Sequence, residues 1–400
     1  MSLAENLEPG KAGGGGSEIS DHEQLARLRL VRSQNVGPRT YFDLLRRFQT
    51  AERALDALPG LARRGGAKAY TPCPTADADR EIDAGLKAGA RLLIHGQDTY
   101  PPLLAMIDAP PPVVWIKGDV TVFERDSLAI VGARNASALG MRTVRRLVSD
   151  LRETGLVIVS GLARGIDATA HEVSVATGTI AVMAGGIDQV YPQENSELAE
   201  RITESGALLS DCPIGMEPTS RHFPRRNRLI SGLARGVLLV EAAVRSGSLI
   251  TARFALDQGR DVMACPGSPE DPRSGGCNAL IRDGATLVRS AEDILETLAN
   301  PIQPGFAEPG SPFLFDGGDF DDDGFDGIDA FDDEDTGLDE NALTDQVLSL
   351  LGPHPVDIDE IARQCGATPS DMSLVMLELD LAGQIDLLPG GMVSRAGNAV

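Results

Sequence analysis

Histidine, cysteine and aromatic residues are all scarce in this chain of 400 residues, at five, five and 4%. Cys73, Cys212, Cys265, Cys277 and Cys365 contain no C-x-x-C pair, which argues against both a zinc ribbon and a disulfide framework. His22, His95, His171, His222 and His354 are dispersed, so no H-E-x-x-H motif exists and no metal site is expected. No apolar run approaches the roughly 20 residues of a membrane span. The first residues, with Gly13 to Gly16, lack the basic and apolar regions of a signal peptide. A cytoplasmic chain without membrane contact is expected.

Basic residues are also few, 36 against 59 acidic, for a formal net charge of -23. The deficit is local: residues 301–340 hold 14 acidic residues and no basic one, so most of the acidity lies in a Pro-, Gly- and Asp-rich stretch that reads as a disordered linker. Residues 1–300 are near neutral, and an anion-binding site is compatible with the acidic total. The linker's alternating acids and phenylalanines could also imitate a nucleic acid strand.

The length predicts several domains. After a Gly-rich disordered lead (1–20), residues 21–90 read as a helical domain: helices Glu23–Ser33, Thr40–Phe48, Ala51–Leu58 and Ala78–Ala88 carry apolar faces. An extended segment, Arg91 to Lys117, with prolines at 101, 102, 110, 111 and 112, connects it to the main body. From Ser127, apolar runs beginning at 128, 156, 179, 207, 237, 261 and 286 alternate with helical periods. That pattern predicts an α/β fold, an extended Rossmann-like doubly wound parallel sheet within 91–300, with ligands beyond the strand C-terminal ends. Residues 341–400 read as three helices and a hairpin, a winged helix. Its third helix, Pro369 to Ala382, has Asp371, Glu378 and Asp380 but no Lys or Arg, so a protein contact or spacer role is expected rather than duplex binding.

Four loops carry the chemistry. Gly132 and Arg134 follow the first strand of the alternating pattern, but the second glycine of G-x-G and the ribose-binding acid are missing, which disfavours a nicotinamide cofactor. Ser160, Gly161, Arg164 and Gly165 precede a helix, with Asp167 as its expected N-terminal cap. Phe223 to Leu233 places Arg225, Arg226, Asn227 and Arg228 at a helix start, and Arg245, Ser246 and Gly247 open another. Of the α-helical arginines, Arg225 and Arg228, three apart, are expected to face the groove. Gly132 is expected to let backbone approach a ligand. Phe223, Tyr191 and His222 are candidates for base stacking. Nothing pairs a nucleophile with a base: G-x-S-x-G and the Walker lysine are absent. No catalytic residue and no cofactor are therefore assigned.

Together with Gly185 to Asn195, Glu241 to Ala252 and Gly276 to Ala285, these loops resemble the DNA-processing protein A family, DprA or Smf. The resemblance implies a sterile-alpha-motif-like helical domain and a Rossmann domain that homodimerises. It further implies single-stranded DNA as the partner, bound without hydrolysis, protection of incoming strands in natural transformation, and loading of the RecA recombinase. The competing reading is a Rossmann-like nucleotide phosphoribohydrolase using Glu241 or Asp167, whose P-G-G-x-G-T-x-x-E segment is only partly echoed by Ser246 to Thr251.

Overall fold

The computed structural model describes residues 19–299, 340–352, 355–388 and 391–396. The expected disordered lead and acidic linker fall almost wholly outside these residues. At their inner edges, Ser20 caps the first helix and Glu340 begins another.

Helices α1 (Asp21–Val31), α2 (Pro38–Phe48), α3 (Ala51–Arg64) and α4 (Thr75–Lys87) form the N-terminal unit. The Ser20 and Thr50 hydroxyls accept from the Glu23 and Arg53 amides, and Pro38 opens α2, where a missing N–H costs nothing. Helix α3 does not stop at Leu58 but continues through Pro59 to Arg64. An internal proline costs about 3 kcal/mol, and burial of Leu61 and Ala62 in the helical core offsets it.

The body comprises β1 (Arg91–Ile94), α5 (Pro102–Ala105), β2 (Val113–Gly118), β3 (Ser127–Gly132), α6 (Ala138–Asp150), β4 (Val157–Ser160), α7 (Ile166–Ser174), β5 (Thr179–Val182), α8 (Ser196–Ser205) and β6 (Ala207–Ser210). It continues with α9 (His222–Gly232), β7 (Gly236–Val240), α10 (Gly247–Asp257), β8 (Asp261–Ala264), α11 (Gly275–Arg282), β9 (Thr286–Leu287) and α12 (Ala291–Leu298). Among the described residues these strands make one nine-stranded sheet, ordered β1-β2-β6-β5-β4-β3-β7-β8-β9. Strands β3 to β9 pair in parallel, as the apolar runs predict.

The connecting segment is a correction. Residues 91–118 extend the sheet: β1 pairs antiparallel with β2, and β2 antiparallel with β6, with Ile116 opposite Leu209. The five prolines all fall between the two strands, where no ladder amide is needed, while Leu92 to Ile94 and Val113 to Ile116 are buried. The sheet is consequently mixed rather than purely parallel. The order of connection reverses between β3 and its parallel neighbour β7, the switch point beyond whose strand C-terminal ends open sheets of this kind take their ligands.

The C-terminal unit contains α13 (Glu340–Leu350), β10 (Val356–Asp357), α14 (Ile358–Cys365), α15 (Pro369–Leu381), β11 (Ile385–Leu388) and β12 (Met392–Arg395). Its strands form an antiparallel sheet in the order β10-β12-β11, which completes the winged helix. A capping box between Thr368 and Asp371 starts α15, and Met372, Val375 and Leu379 enter a core with Val347, Ile361 and Val393.

Candidate nucleic-acid interface

The loop after β3 meets the end of β7. Glu241 adopts a left-handed backbone (φ 55°) and turns its carboxylate onto the start of α6. There Oε2 accepts from the Ser137 amide at 2.8 Å, and Oε1 from the Ser137 hydroxyl. The protein thus supplies its own anion at the helix end where a Rossmann protein would take a pyrophosphate. Gly132 also differs from expectation. A Cβ there would lie 1.9 Å from the Val240 carbonyl, so the glycine serves close packing of β3 on β7, not approach of a ligand.

The loop after β4 forms a wall. The buried Ser160 hydroxyl donates to the Ile130 carbonyl at 2.6 Å and is therefore spent on the wall instead of being offered to a ligand. Asp167 does not cap α7; its N-cap position is Gly165, and the Asp167 carboxylate accepts from the amides of Gly161 (3.1 Å) and Ala163 (3.4 Å). This bends the loop back over the carboxylate. Into that bend runs Arg226, only 5% exposed, donating to the carbonyls of Gly161 and of Val182 (2.7 Å). A Cβ at Gly161 would lie 2.1 Å from the guanidinium, so only glycine admits it.

These groups form one buried charged layer. Burial pushes Arg226 down to about 10 while Asp167 opposes the shift, so the guanidinium stays protonated at neutral pH. Burial raises the Asp167 carboxyl, against Arg226 and the two loop amides. His171, whose Nδ1 lies 2.7 Å from the Thr179 hydroxyl, is pushed down to about 3 by burial and then by Arg226. It is neutral at physiological pH.

Above this layer stands Phe223. The Arg226 guanidinium lies 5.9 Å from its ring centroid and that of Arg134 lies 5.0 Å away. Tyr191, 53% exposed, meets the ring edge-on with centroids 5.6 Å apart. Asn227 donates to the Gly247 carbonyl at 3.3 Å and ties the start of α9 to that of α10, where Ser246 caps by accepting from the Ser248 amide. Gly247 and Arg245 are exposed at that end.

The six arginines separate by environment. Arg134, Arg225 and Arg245 are exposed, with no carboxylate within ion-pair distance among the described residues. Arg164 is exposed but makes a two-pronged pair with Glu194 at 2.6 and 2.8 Å. Arg228, expected to face the groove, instead donates to the Ala109 carbonyl at 2.9 Å and faces Asp211 at 3.7 Å, with its side chain 16% exposed. Arg226 is the internal strut. Its place was readable from spacing, since 226, 229, 230 and 233 share one helical face and the last three are Leu, Ile and Leu. Among the described residues no group of His, Cys, Asp and Glu could hold a metal ion, and no helix is long and apolar enough to cross a membrane.

A Rossmann-type sheet whose switch-point loops carry arginines and aromatics, flanked by a helical unit and a winged helix, with the usual nucleotide phosphate position filled by Glu241, defines the class of this protein. Within that class, the chain belongs to the DNA recombination-mediator protein A family, whose model matches residues 91–299. A DprA-like N-terminal HHH domain matches 21–84, and a DprA winged helix domain matches 333–391. Protein Smf of Escherichia coli is 38% identical over 305 residues, 76% of each chain. DNA processing protein DprA of Bacillus subtilis is 48% identical over 222 residues, 55% of this chain and 75% of the relative. The crystal structure of DNA processing protein A from Streptococcus pneumoniae superposes with a TM-score of 0.59 at 35% identity, covering 70% of this chain and 98% of that one. The fold and family expected from the sequence are borne out, with the N-terminal unit described as an HHH domain.

Proposed function

We propose that this chain binds single-stranded DNA in the β3–β7 crevice, without cleaving it, and passes the strand to a RecA recombinase as a cytoplasmic homodimer. The observation that carries the DNA reading is Phe223, whose ring centroid lies 5.0 Å from the Arg134 guanidinium and 5.9 Å from that of Arg226, on a helix start that also bears the exposed Arg225. An aromatic platform beside free cations suits an unpaired base and its neighbouring phosphates, whereas a duplex keeps its base faces stacked inside. Glycines 161 and 165 and Ser160 shape the wall, and Arg164, Asn227, Ser246 and Gly247 set its borders, while Gly132 packs β3 on β7 and Arg228 is turned onto Ala109 and Asp211. Delivery to RecA, dimerisation and a part in natural transformation rest on the family relationship.

The non-catalytic reading is supported by what the two candidate acids do. Glu241 is engaged by Ser137 and Asp167 by the loop amides, so neither is left to act as a general base or to stabilise an oxocarbenium ion. Titration of labelled single- and double-stranded oligonucleotides, with and without RecA, tests the whole reading. Single-strand affinity should fall steeply with salt, and Arg134→Ala and Arg225→Ala should each lower affinity several-fold and reduce the salt slope by about 0.7. Unchanged affinity in both variants, or release of free base from nucleoside monophosphates, would overturn it.

A further inference from the structure

In a winged helix the third helix is the one a DNA duplex would meet in its major groove. Here that helix is α15, and its outward side is covered by the N-terminal unit of the same chain. Leu374, Leu377 and Leu381 join a core with Leu30, Tyr41, Leu44, Leu58 and Leu61. Glu378, 1% exposed, receives Arg64 Nε at 2.6 Å. The Thr40 hydroxyl donates to Asp380 at 3.0 Å, and Asn35 Nδ2 donates to the Leu381 carbonyl at 3.0 Å. Gly65 fits because a Cβ there would lie 1.9 Å from the Glu378 carbonyl.

We propose that α15 is a protein-docking helix and that its receptor is the α2–α3 face of the N-terminal helical unit. The two surfaces are complementary in kind. The helix offers three leucines with acids at 378 and 380 and no cation; the receptor offers an apolar floor with Asn35, Thr40 and Arg64 as donors. Every charged side chain on this helix is a carboxylate, so charge and burial both turn it away from duplex DNA. The winged helix is thereby a clasp that closes the C-terminal unit onto the N-terminal one.

Hydrogen exchange on the full chain, read on peptides from α15 and α3, tests the clasp. Arg64→Glu sets a like charge against the buried Glu378, and amide protection in α15 should fall by at least about tenfold. The exchanged pair, Arg64→Glu with Glu378→Arg, should recover it. Leu374→Glu provides a second opening route, because Leu374 packs on the N-terminal unit and not in the winged helix's own core. The opened variants should gain no duplex affinity. Unchanged protection in both Arg64→Glu and Leu374→Glu would refute the docking. A gain of about tenfold or more in binding a double-stranded oligonucleotide would show instead that α15 is a masked DNA reader. Single-strand affinity reports on the crevice separately, since none of these residues lines it.

Discussion

Helices α9 and α15 occupy comparable places, each presented where nucleic acid is met in its fold type, yet they are built on opposite terms. Helix α9 carries Arg225, Arg226 and Arg228 near its start and divides them: one to solvent, one into the wall, one to Ala109 and Asp211. Helix α15 carries no cation, and residues on both its core-facing and outward sides are buried. Architecture alone would assign both to DNA. Under the proposed function, charge and exposure leave only α9 for that role, which is the general reason why function is argued from sites and not from folds.

The comparison breaks most readily at Arg226. Replacing it with methionine removes the donor to the carbonyls of Gly161 in the loop and Val182 at the end of β5, and leaves Asp167 buried without its counter-charge. The expected cost is about 3–5 kcal/mol in denaturant unfolding, with single-strand binding lost as the wall relaxes. The conservative Arg226→Lys should recover only part, because both carbonyls take their bonds from one terminal nitrogen, Nη1, at the end of the longer, planar guanidinium, a position that the differently shaped ammonium does not reproduce. Unchanged stability in Arg226→Met would mean that α9 is merely a charged surface helix, no different in kind from its neighbours.

Acid sharpens the same contrast. His171 is held at about 3 against an ordinary 6.5, so below pH 6.5 the unfolded chain takes up a proton that the folded one refuses. Its contribution to stability is therefore complete above pH 6.5 and is lost as pH falls toward 3, at up to about 1.4 kcal/mol per pH unit. Asp167, raised by burial, works in the opposite direction as it protonates. Comparing wild type with His171→Gln across that window isolates the histidine, and the variant should show the shallower acid dependence. Equal slopes would mean that the layer beneath Phe223 opens to solvent.

Much of this was legible in the sequence, for reasons particular residues make plain. Strands β3 to β8 announce themselves because both faces are covered and apolar runs result, while β9, exposed at the sheet edge, is marked only by its short Thr286 to Val288 run. Strands β1 and β2 were hidden by the five prolines clustered between them, which make the whole segment read as extended connection. Helix α3 was cut short because Pro59 is a local signal, whereas burial of Leu61 is a tertiary one. The arginines of α9 were found by composition but sorted wrongly: the three-residue spacing of 225 and 228 was followed, while the spacing of 226 with Leu229, Ile230 and Leu233 was decisive. Glu241 was visible only as a possible acid, since its turn onto Ser137 depends on two strands distant in sequence meeting side by side. The acidity of α15 pointed to a protein contact or a spacer, and it is the structure that sets the helix against the N-terminal unit.

The smallest expected effect lies at Arg164, which separates counting cations from reading their environments. By composition it equals Arg134 and Arg225; by geometry its charge is already met by Glu194, and both side chains are exposed, which keeps such a pair weak. Arg164→Ala should change single-strand affinity by less than about twofold at physiological salt. Glu194→Ala, by freeing Arg164, should raise affinity slightly and steepen the salt dependence, because one more cation becomes available to displace counterions. If Arg164→Ala instead weakens binding as much as Arg134→Ala, the pair with Glu194 is exchanged for phosphate on binding. The crevice would then extend past α7, with four working cations in place of three.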